Sequence, residues 1–111
     1  MSTVPKPPKT FRAFIATHPR LGEAWDLIHQ AGGEGPIGVR TARLIKIGIA
    51  MGAMREGAVH SGVRKALAMG VTADELQQIV ALCAGTLGMP ATVANFAWVN
   101  DVLKEQVDEE A

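Results

Sequence analysis

An all-α fold is predicted by three features of the chain: apolar residues recur at intervals of three and four, glycine or proline marks most breaks between periodic segments, and no segment alternates with a period of two. The 111 residues suit one compact domain of about six short helices. Eleven basic and eleven acidic groups give no net charge. With no Lys/Arg run, the chain lacks the electrostatic footprint of a nucleic-acid or anionic-membrane binder, so neither partner is expected. The longest apolar stretches, residues 47–54 and 79–85, fall short of the roughly 20 residues that span a bilayer. The opening Met-Ser-Thr-Val-Pro-Lys-Pro-Pro-Lys has prolines where a signal peptide carries its apolar core, so a soluble, cytoplasmic protein is expected. Cys83, the single cysteine, permits no internal disulfide and reads as a buried packing residue in a reducing compartment.

Each element has its own local reason. Residues 1–9 hold three prolines and little that is apolar, and are expected to form a loose arm. From Thr10, a candidate cap, Phe11, Phe14 and Ile15 give a short first helix. Pro19 suits the first position of a second, whose stripe of Leu21, Trp25, Leu27 and Ile28 ends at Gly32-Gly33, a candidate left-handed stop. Four glycines and Pro36 then make residues 32–38 a loop. Residues 39–54 form a third helix, so apolar beyond Lys46 that its second half should be buried on every side. Gly48 and Gly52 would there make room for close packing. Residues 58–69 make a fourth helix closed by Gly70, and Thr72-Ala-Asp-Glu75 is a capping box that starts a fifth over residues 73–87. Gly88-Met-Pro90 breaks the pattern before a final helix carrying Val93, Phe96, Val99 and Val102. The domain thus covers residues 10–107, with an acidic tail at 108–111 that the helix macrodipole should fray. Two helices apolar nearly all round exceed what one short chain can cover, so a homo-oligomer is expected.

Candidate chemistry is scarce. His18 and His29 read as surface residues. The segment Arg55-Glu-Gly-Ala-Val-His-Ser61 gathers four functional side chains in seven residues. Glu56 and His60 stand at i and i+4, so on one helix they share a face and can hydrogen-bond, the pairing a proton-transfer site needs. The alternative is an ordinary ion pair of Glu56 with Arg55 or Lys65, leaving His60 as a polar rim residue. A metal site needs three convergent ligands and only Glu56 and His60 lie close in sequence, so neither a metal nor a cofactor is expected.

Several runs match a known pattern together: Leu44-Ile-Lys-Ile-Gly-Ile-Ala, Arg55-Glu-Gly-Ala-Val-His-Ser, Val63-Arg-Lys-Ala-Leu-Ala-Met-Gly-Val-Thr-Ala-Asp-Glu-Leu and Gly88-Met-Pro. In their order and spacing they resemble the carboxymuconolactone decarboxylase and alkylhydroperoxidase AhpD-like family. The resemblance implies an all-helical AhpD-like domain assembled into a ring, a trimer or a hexamer. Peroxidase members carry Cys-x-x-Cys and, four residues on, a histidine; the matching positions here are Arg55, Ala58 and Gly62. A thiol peroxidase is therefore the least favoured reading. The decarboxylase branch needs no cysteine but uses a histidine at or near position 62. Glu56 matches a family acidic position, and His60 lies two residues before 62, a rotation of about 200° along a helix. The expectation is a lyase-like enzyme for a small organic acid or lactone. In it His60 donates the proton, Glu56 orients it, Arg55 or Arg43 holds a substrate carboxylate, and Ser61 and Gly62 lie beside the ligand. A non-catalytic binding or scaffold protein on the same fold is the alternative.

Overall fold

The computed structural model describes residues 8–110, which form six helices: α1 Lys9–Thr17, α2 Pro19–Gly32, α3 Val39–Gly52, α4 Glu56–Ala68, α5 Ala73–Leu87 and α6 Met89–Glu110. Among the described residues there is no strand, and no helix is long and apolar enough to cross a membrane. The expected arm lies outside the described residues except for Pro8 and Lys9, and Lys9 already opens α1. At the other end α6 stays helical to Glu110, past the domain limit expected at 107.

The helix ends follow the local chemistry in most places. The Glu75 N–H donates to Thr72 Oγ1 at 3.1 Å and the Thr72 N–H donates to Glu75 Oε1 at 3.0 Å, completing the capping box. The same carboxylate accepts both bonds of a bidentate contact from Arg40 at 2.6 Å, which ties the start of α5 to α3. α4 closes with the paired bonds of a Schellman motif, Val71 N–H to Ala66 O and Gly70 N–H to Leu67 O, with Gly70 at φ 90°. α3 closes in the same way, but Met54, at φ 55°, stands where glycine is usual.

Three local expectations are corrected. Thr10 caps nothing; Pro8 precedes the helix and Thr10 is already its second residue. Gly33 has φ −85°, and the left-handed residue of that loop is Gly35 at φ 138°. α4 begins at Glu56 rather than 58, which puts this carboxylate in the first turn, where the dipole favours it.

The core belongs to α3–α6. Ile47, Met51, Val59, Val63, Leu76, Val99 and Val102 are fully enclosed there, and truncating one of them, as in Leu76→Ala, costs about 2–5 kcal/mol. Cys83 is buried, as expected, with its sulfur 3.6 Å from Met51 Sδ and 3.4 Å from Ile79 O. Asn95, enclosed as well, donates to Met51 O and Ala91 O and so holds α6 against the end of α3.

Within the single chain the second half of α3 is not buried on every side, since Ile49 is 65% exposed. Leu82 of α5 is likewise 69% exposed, so both helices keep an open apolar side. Gly48 and Gly52 do not permit close packing either, since a Cβ on either would meet nothing within 4 Å. Both line an apolar groove of about 540 Å³ between α3 and α5, together with Ile45, Ile79 and Leu82. Close approach occurs instead at Gly22, where a Cβ would lie 2.6 Å from Ile15 Cγ2, and at Gly62, where it would lie 3.0 Å from Ile47 Cγ1. Gly22 lets α1 and α2 pack as a hairpin, with Phe11 edge-on to Trp25 at 6.4 Å.

Candidate functional site

Two faces of α4 carry its polar residues. Ala58, Ser61, Gly62 and Lys65 follow the spacing i, i+3, i+4, i+7 and line a cavity of about 460 Å³ closed by α2 and α3. From α2 come Trp25, Ile28 and His29; from α3 come Arg43, Lys46 and Ala50. The spacing of Arg43 and Lys46, i and i+3, turns both cations to the same side of α3.

The electrostatics of this cavity are one-sided. Arg43, Lys46 and Lys65 line it with His29, and among the described residues no carboxylate does. The Arg43 Nε is enclosed and has no hydrogen-bond partner, and burial lowers the guanidinium pKa from its usual value. Lys65 is lowered first by burial and then by the charges of Arg43 and Lys46. Burial also lowers His29, as do Lys46, Lys65 and Arg43, with Asp26 opposing. These causes favour the neutral imidazole. His29 is nonetheless exposed, the surface residue that the sequence predicts.

On the second face of α4 both basic groups are paired, while Glu56, one turn before His60, is exposed. His60 Nε2 lies 3.0 Å from Asp101 Oδ2, and Arg64 donates through Nε and Nη2 to the Glu105 carboxylate at 3.0 and 2.8 Å. The Glu105 hydrogen bond raises the Arg64 pKa, and Arg64 in turn lowers that of Glu105. The His60 side chain is only 20% exposed, packed between α4 and α6.

Six residues were expected at the site, and the structure divides them. Arg43, Ser61 and Gly62 converge on the cavity. Arg55 is exposed just before α4, Glu56 is exposed in its first turn, and neither they nor His60 line the cavity. Among the described residues no hydrogen bond links Glu56 to His60, because the imidazole turns to Asp101. Trp25, His29, Lys46 and Lys65 were missed. Lys46 and Lys65 did carry a signal: neither has an acidic residue three or four positions away, so neither can be neutralised along its own helix. Among the described residues no three His, Cys, Asp or Glu side chains gather as a metal site.

An all-helical domain whose α2, α3 and α4 line an open, cation-bearing cavity is the class of protein that these features define. Residues 19–101 match the Carboxymuconolactone decarboxylase family, and the chain belongs to it. The match opens at the first residue of α2 and takes in every helix around the cavity. No curated protein and no solved structure matches the chain.

Proposed function

We propose that the protein binds and transforms a small organic acid or lactone in the cavity between α2, α3 and α4. Arg43 and Lys46 would hold the carboxylate, and His29 and Lys65 would move protons. The observation that carries this reading is the cluster of three cations around a cavity without a carboxylate, one of them with an enclosed, unpartnered N–H. Clustered like charges destabilise an empty site and are relieved by an anion, which also satisfies Arg43 Nε. Trp25, Ile28 and Ala50 offer apolar surface to the carbon body. Decarboxylation or lactone chemistry passes charge onto an enolate, and cations clustered at the site stabilise that charge.

The resemblance places two of the family's redox positions, Ala58 and Gly62, on this cavity, which supports its location. The absence of a cysteine there counts against thiol peroxidation. So does Cys83, whose burial raises its pKa and keeps it a thiol. Proton transfer by Glu56 and His60 is the weaker assignment, since His60 is engaged by Asp101 and both lie off the cavity. Binding without turnover is a second reading, favoured by Gly62, which leaves the family histidine position without a functional group. We further propose a cytoplasmic homo-oligomer, a trimer or hexamer, supported by the exposed Ile45, Ile49 and Leu82 on α3 and α5 and the exposed Leu27 and Ile28 on α2. Light scattering at micromolar concentration tests it, and a stable monomer removes it.

Calorimetric titration with 3-hydroxybutyrate tests the binding site. Arg43→Met should weaken binding by about 10- to 100-fold, the worth of a charge-assisted hydrogen bond, with the helical circular dichroism unchanged. Equal affinity in the variant overturns the assignment.

A further inference from the structure

We propose that Lys65 is an amine nucleophile that captures the carbonyl carbon of a short keto acid, whose carboxylate is held by Arg43 and Lys46. The inference rests on the acid-binding reading above and adds to it a covalent step and a substrate class.

Geometry carries it. α4 brings Lys65 into the same cavity as two fixed cations of α3, one turn beyond Ser61. A keto acid offers an anionic end for Arg43 and Lys46 and an electrophilic carbon a few bonds away for the third nitrogen. Lys65 makes no ion pair with a carboxylate among the described residues. The groups that face it are Arg43 and Lys46 of α3, with His29 of α2 also close enough to feel its charge. Asp26 of α2 acts on His29. On α4 itself, positions 61, 62, 68 and 69 are Ser, Gly, Ala and Met, so no carboxylate there draws a proton back. Burial beside other cations lowers the pKa of an ammonium group, and the free amine is the form that attacks carbonyls.

The step balances without any added reagent. The Nζ lone pair forms a bond to the carbonyl carbon while the C=O π pair moves to oxygen, which takes the proton that the nitrogen gives up. A second proton from solvent then lets the carbinolamine lose that oxygen as water and become an iminium ion. In a β-keto acid the bond to the carboxylate next breaks, its electron pair enters the iminium, carbon dioxide leaves, and the enamine takes a proton at carbon. Water adds to the resulting iminium, releases the ketone and restores the amine.

The test uses the whole protein with acetoacetate as the probe and sodium borohydride as the trap, read by intact mass and peptide mapping. The expected result is one adduct per chain on Lys65, either the reduced keto acid or, after loss of carbon dioxide, an isopropyl group. Its yield should rise with pH earlier than that of a lysine in an unstructured peptide. Lys65→Arg should abolish the adduct with the helical circular dichroism unchanged, and Lys104→Arg should leave it unchanged. If Lys65→Arg fails to fold, the map of the unaltered protein still locates the adduct. Binding of 3-hydroxybutyrate with no adduct, or adducts spread evenly over lysines, overturns the nucleophile and leaves the acid-binding reading standing. Neither binding nor adduct overturns both.

Discussion

The two polar faces of α4 make an instructive pair. Toward α6, each basic group meets an acidic one, His60 with Asp101 and Arg64 with Glu105, so neither cation is left for a ligand to satisfy. Toward α2 and α3, Lys65 meets only Arg43 and Lys46, and an enclosed guanidinium N–H has no partner. A histidine beside a carboxylate looks more like chemistry than a lone lysine does. Yet the satisfied face explains itself as structure, whereas the unsatisfied one is a standing cost to the fold that a ligand offsets.

Substitutions can break that contrast, and the largest effect should come from charge reversal. Arg43→Glu should weaken 3-hydroxybutyrate binding by about 100-fold or more, because it removes a donor and adds a repelling charge. Calorimetry checks this, and a melting temperature that holds or rises would show that Arg43 was unsatisfied beforehand. Next comes Gly62→Leu, whose first carbon would already crowd Ile47 and whose remainder would fill the cavity. A loss of about 1–3 kcal/mol in urea unfolding is expected, together with loss of binding. On the paired face, His60→Ala and Arg64→Ala should each cost only about 0.2–1 kcal/mol and leave binding unaltered.

Two pH effects are smaller and sharpen the comparison. An anion favours the protonated forms of His29 and Lys65, both lowered in the free protein, so binding should take up protons and strengthen as pH falls. Calorimetry in buffers of different ionisation enthalpy reads that uptake. Glu75, held by Arg40 at about 2 against an ordinary 4.5, works the other way. Its folded pKa is depressed, so its contribution is present above 4.5 and is lost as pH falls toward 2. Arg40→Met should flatten acid unfolding over that interval.

The fold was largely legible because its punctuation is local. Thr72 with Glu75, Pro19, Gly70 and the Gly88-Met-Pro break act within one turn of themselves, and each marks a boundary in the structure. Burial was less legible because it is a property of neighbours: nothing within residues 39–54 says that Ile49 faces outward while Ile47 is enclosed. The site divides in the same way. Arg43, Ser61 and Gly62, named from the sequence, line the cavity, but the i, i+4 rule paired His60 with Glu56, whereas its actual partner is Asp101, 41 residues on. Lys46 was passed over and Lys65 was read only as a possible partner of Glu56, because a cation far from acids in sequence gains meaning only once packing shows that, among the described residues, none pairs with it.

One consequence of the paired face concerns alignment rather than strength. His60 to Asp101 and Arg64 to Glu105 ascend together, so α4 and α6 run in the same direction and their ionic rungs repeat at one helical turn. The valines between them, Val59 and Val63 against Val99 and Val102, are near-equivalent in shape and would tolerate sliding by a turn. The rungs would not: a one-turn slip leaves one pair of opposite charges facing each other and strands the other two groups. Small as each bond is, together they act as a vernier that keeps Gly88 at the foot of α6 and holds the last helix to a single setting.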